Sequence, residues 1–155
     1  MALETTFREL STSLHRLSDT LNAVQVTVGD KPSGEKSALA DGLEATVLDM
    51  MGTLSEARKA ALSARPALDH PPDLDRARRE LTLCRERFRH LEKDFASGLA
   101  SSGKLEELAS LGHERGGEWR SWGAAVKLGI EHCRDPLEES SKALAECWQE
   151  LAERV

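Results

Sequence analysis

At 155 residues the chain is long enough to bury one core and short for two. Its 27 acidic and 21 basic side chains leave a formal charge of −6, and 39% hydrophobic with 31% charged residues is an ordinary globular balance, which excludes wholesale disorder and a membrane-embedded chain. Leucine occurs 23 times against six Val, one Ile, three Phe, three Trp and no Tyr, so strand-favouring residues are too scarce for a sheet and an all-α fold is expected.

The first segment carries Leu3, Phe7, Leu10, Leu14, Leu17, Leu21, Val24 and Val28 at alternating steps of four and three, the spacing of one helix face over residues 3–28. Gly29, Asp30, Pro32, Ser33 and Gly34 stop it, and Ser33 could cap the next helix. A second helix over 35–64 repeats the stripe with Ala40, Leu43, Val47, Met50, Leu54, Ala57 and Ala61, widened by Leu39, Met51 and Leu62. Gly42 and Gly52 weaken this helix unless they let a neighbour approach closely.

Arg65 to Asp73, with Pro66, Pro71 and Pro72, is the clearest interruption in the chain. A third helix over 72–112 then buries Leu74, Ala77, Leu81, Cys84, Phe88, Leu91 and Phe95, with a break near 98–103, where Gly98, Ser101, Ser102 and Gly103 cluster, before Leu105, Leu108 and Leu111 resume. Gly116 and Gly117 supply the last turn, and a fourth helix over 117–155 follows the line Trp119, Trp122, Val126, Ile130, Cys133, Leu137, Leu144, Trp148 and Leu151, with a bend near Pro136.

Four amphipathic segments joined by short loops predict a single domain: an elongated antiparallel up-down-up-down four-helix bundle with a kinked long C-terminal helix. The end of the fourth helix is expected to project past its neighbours and leave Leu144, Trp148 and Leu151 uncovered. Residues 74–93 hold seven bases against four acids and residues 131–155 seven acids against three bases, which predicts that helices three and four are electrostatic complements.

Signals for chemistry are few. No run reaches the ~18 apolar residues of a membrane span, and Glu4, Arg8 and Glu9 interrupt any leader-like stretch, so cytoplasmic residence without membrane contact is expected. Fourteen Arg against seven Lys, with much Ala and Gly, suggests a bacterial source. Cys84, Cys133 and Cys147 lack metal or disulfide spacing and read as reduced, buried thiols. No metal-ligand pattern, cofactor loop or nucleophile elbow is present, and an acidic chain argues against nucleic acid, so no cofactor, no metal and no enzymatic activity are expected.

Two readings remain. The first is a non-catalytic interaction module, an adaptor, scaffold or accessory subunit, presenting Leu144, Trp148 and Leu151 with Arg85 and Arg89 as a charged rim to a protein partner or to a second copy. The second starts from His90, Leu91, Glu92 and Lys93, which resemble the opening of the HxxKG signature of histidine phosphotransfer domains. That resemblance implies an exposed, phosphorylated His90 with Lys93 offsetting the charge, although Asp94 stands where the family has glycine.

Overall fold

A computed structural model describes residues 2–32, 38–68, 72–109 and 116–153. Among them the chain is helical throughout: α1 (Ala2–Gly29), α2 (Ala38–Ala64), a 3₁₀ turn (Pro66–Leu68), α3 (Leu74–Ala109), α4 (Gly116–His132) and α5 (Arg134–Ala152). The residues joining α1 to α2 and α3 to α4, the proposed cap Ser33 and the expected ends of the second, third and fourth helices lie partly outside the described residues.

The bundle is up-down-up-down. Contacts across each seam run antiparallel: Glu4 of α1 reaches Arg65, the residue after α2, Glu56 of α2 meets Arg87 of α3, and Arg85 of α3 lies over Trp148 of α5. Arg16 of α1 pairs with Glu139 of α5. Each helix touches its two neighbours, α4 and α5 serving as one continued rod, and among the described residues the diagonal pairs α1 with α3 and α2 with α4 or α5 make no close backbone approach. All four apolar stripes drain into one core, in which every residue of the first stripe from Leu3 to Val28 is buried.

Local chemistry sets the element ends. Asp73 precedes α3, and its carboxylate accepts the backbone N–H of Arg76 at 3.0 Å, an N-cap that starts the helix two residues after the Pro72 expected to open it. At the far end of α1, the Thr27 carbonyl takes the Asp30 N–H at 3.1 Å in a tightened closing turn and offers its second lone pair to the Trp122 indole N–H, also at 3.1 Å.

Two expectations need correction. The break near 98–103 does not occur, and α3 runs unbroken from Leu74 to Ala109. The small residues there serve contact: a Cβ on Gly98 would lie 3.2 Å from Ile130 Cδ1 of α4, and fully buried Ser102 returns its hydroxyl to the Leu99 carbonyl. The bend of the fourth helix falls where it is expected, within residues 132–136, and is centred on Cys133. Cys133 keeps right-handed backbone angles (φ −74°, ψ −15°), and its N–H bonds to the Ile130 carbonyl at 3.0 Å, one residue tighter than an α-turn. Pro136 thereby falls in the first turn of α5, where its missing N–H is not needed.

The second correction concerns charge. The bases of α3 are not matched to the acids of α5: Arg87 pairs with Glu56 of α2 at 2.7 Å, Arg78 with Asp75 of its own helix at 3.7 Å, while Glu139 of α5 goes to α1. The three cysteines are free and buried as expected. Burial pushes the Cys84 and Cys133 thiols up to about 12, so they stay protonated and packed.

Candidate functional site

The stripe expected to be uncovered is core. Leu144 is 3% and Leu151 0% exposed, because α5 runs back along α1 instead of projecting past it and the first half of α1 covers that face. Trp148 is half-buried, and the Arg85 guanidinium sits 4.7 Å over its ring, so indole and cation satisfy each other. Arg89 is exposed beside them. Trp119 and Trp122 are buried, edge to face with centroids 5.8 Å apart.

The apolar surface lies elsewhere. The α1–α2 seam is the most open of the four sides, with far fewer close backbone approaches than the others. Three crevices succeed one another along it. The first is lined by Phe7, Leu14 and Leu62, the second, of about 350 Å³, by Leu21, Met51 and Leu54, and the third, of about 330 Å³, by Val28, Val47 and Leu48.

On the lip of this groove stand Val26 (70% exposed), Leu48 (52%) and Leu62 (61%), three of the five large aliphatic side chains exposed among the described residues. Leu62, expected to widen the buried stripe, therefore faces solvent, whereas Leu39 and Met51 do pack on the core. Polar side chains span the seam where packing does not: Arg58 reaches Ser18 Oγ at 3.3 Å and His15 Nδ1 at 3.4 Å. Lys59 lines the same central crevice, leaving this stretch cationic.

On the α2–α3 side, His90 sits in a cluster that the sequence shows only in part. Its Nε2 is 2.9 Å from Asp49 Oδ2 of α2 and 3.6 Å from Asp94 Oδ2, one turn further along α3. Asp49 and His90 are about half exposed, whereas the Asp94 side chain is only 18% exposed. Its Oδ2 is shut off from solvent and accepts no hydrogen bond. Burial and the adjoining Asp49 carboxyl push Asp94 up to about 6, while its contact with Asp94, and then with His90, holds Asp49 below the usual carboxylate range. Lys93 is exposed on the next face and is not part of this cluster.

The raised Asp94 gives a signed pH dependence. Its folded value exceeds the unfolded one near 3.8, so its contribution to stability is fully present below that value and is lost as pH rises through about 6. Asp94→Asn, which stays neutral, is therefore expected to raise stability by about 1–2 kcal/mol at pH 8 and by little at about pH 3.5, below the unfolded value. Thermal denaturation of both proteins at the two pH values checks this; an equal effect at both would refute it.

Asp49 is hidden from a reading of the sequence because it is 41 residues from His90 and only the α2–α3 register joins them. The i, i+4 spacing of His90 and Asp94 is the one local signal. For the groove, Val26 and Leu48 fall off the apolar repeat, a visible sign of apolar surface outside the core.

No described helix is long and apolar enough to cross a membrane. No protein-family model, curated protein or solved structure matches the chain.

Proposed function

We propose that this chain is a non-catalytic interaction module whose α1–α2 groove receives an amphipathic helix from a protein partner. The observation that carries this reading is the alignment of three apolar crevices beneath Val26, Leu48 and Leu62, on the one side of the bundle where neighbouring helices stand apart. A helix laid in such a groove would anchor by residues at i, i+3, i+4 and i+7. Arg58 and Lys59 favour a partner helix with acidic residues flanking its apolar face. The docking face assigned from the sequence to Leu144, Trp148 and Leu151 is replaced by this one.

Phosphotransfer through His90 and Lys93 is the weaker reading. A phosphoryl group on His90 Nε2 would have to displace Asp49 and would then face two carboxyl groups with nothing but Lys93 to offset the charge.

A photo-crosslinking residue at exposed Ser55, which lines the central crevice, tests the proposal in the source cells against the same residue at exposed Ser97 of α3. The expected result is a discrete protein adduct from position 55 alone, abolished by adding Leu62→Asp, which leaves the core intact. Equal adducts from both positions, or none, would remove the groove as the docking face. An adduct of twice the chain mass would replace the foreign partner with a second copy.

A further inference from the structure

Asp49, His90 and Asp94 each offer one donor atom, and the three lie within 4.8 Å of one another. From this geometry we infer a divalent-cation site of the zinc class, joining α2 to α3. Zinc held tetrahedrally at about 2.0–2.1 Å from nitrogen and oxygen sets its ligand atoms about 3.3 Å apart. The two distances from His90 Nε2, 2.9 Å to Asp49 and 3.6 Å to Asp94, bracket that edge, and the two carboxylates lie within 4.8 Å of each other, so two edges are nearly set and the third is within reach of a side-chain rotation.

A second feature points the same way. Asp94 Oδ2 faces the cluster, is closed to water and accepts no hydrogen bond, and it adjoins the Asp49 carboxyl, a carboxyl–carboxyl contact that needs a proton or a cation between the two groups. His90 and Asp94 are one turn apart on a single helix, so two ligands are set by helix geometry and only Asp49 depends on packing between helices. The nearby Arg87 guanidinium is held by Glu56 and does not occupy the carboxyls.

The donor chemistry selects the metal. One imidazole with two carboxylates suits zinc or a neighbouring first-row ion, whereas calcium needs six to eight oxygens and magnesium seldom takes nitrogen. The exposed side of His90 and Asp49 leaves the fourth corner to water.

Calorimetric titration of the full chain with zinc chloride tests the site. The expected result is one saturable event. His90→Ala and Asp49→Asn, both at exposed positions, weaken it at least about tenfold with unchanged circular dichroism. His15→Ala, at the other described histidine beside an aspartate, leaves it unaltered. Absence of saturable binding up to millimolar zinc, or full binding by His90→Ala, would overturn the inference.

Discussion

Replacing Leu144 by alanine is expected to cost about 3 kcal/mol and to lower the thermal midpoint by roughly 6–12 °C, as a core truncation in a chain of this length does. Leu144 is 3% exposed and shares the core with Leu151 and the first turns of α1. Truncation there opens a cavity that two packed helices cannot close. On an uncovered docking stripe the same change would stay within about 0.5 kcal/mol, so thermal denaturation separates the two placements directly. Trp148→Ala should fall between them, because its ring is half-buried and loses its stacking with Arg85. A midpoint within about 1 °C of the native protein for Leu144→Ala would refute this placement of α5 against α1.

What the sequence made legible was periodicity. Leu10, Leu14, Leu17 and Leu21 announce a helix face because one period governs both the spacing of side chains and the side on which they are buried, and all four are in the core. The glycine-rich stretch at 98–103 misled for a physical reason: the residues that weaken an isolated helix are also those that let a second helix come close, and only tertiary contact decides between the two. Asp49 beside His90 is a matter of register between α2 and α3, which no local pattern encodes. The depth of the groove is hidden for the same reason, although Val26 and Leu48, off the repeat, mark apolar surface beside it. The stripe on α2 states that one face is apolar, but how far α1 stands from it depends on what holds α1 on its other side.

Gly129 of α4 provides that hold. A Cβ there would sit 3.0 Å from Val24 Cγ2 and 3.8 Å from the Val24 backbone, so α1 and α4 approach as closely as a missing side chain allows. Val24 is buried and β-branched, with little rotamer freedom to yield. Gly129→Leu should therefore cost at least about 3 kcal/mol, by forcing α1 away from α4 and straining the bond from Trp122 to Thr27. Gly52 makes the contrast. It lies in α2, exposed, with nothing within 4 Å of an added Cβ. Gly52→Ala should raise stability by about 1 kcal/mol through helix propensity alone. These opposite signs, read by denaturant unfolding, map where the bundle is tight and where it is loose. Because α1 leans on α4 at Gly129, it stands off from α2, and the crevices beneath Leu48 and Leu62 stay open. Should Gly129→Leu unfold within about 1 kcal/mol of the native protein, α1 would have no such anchor, and the opening of the α1–α2 groove would lose its cause.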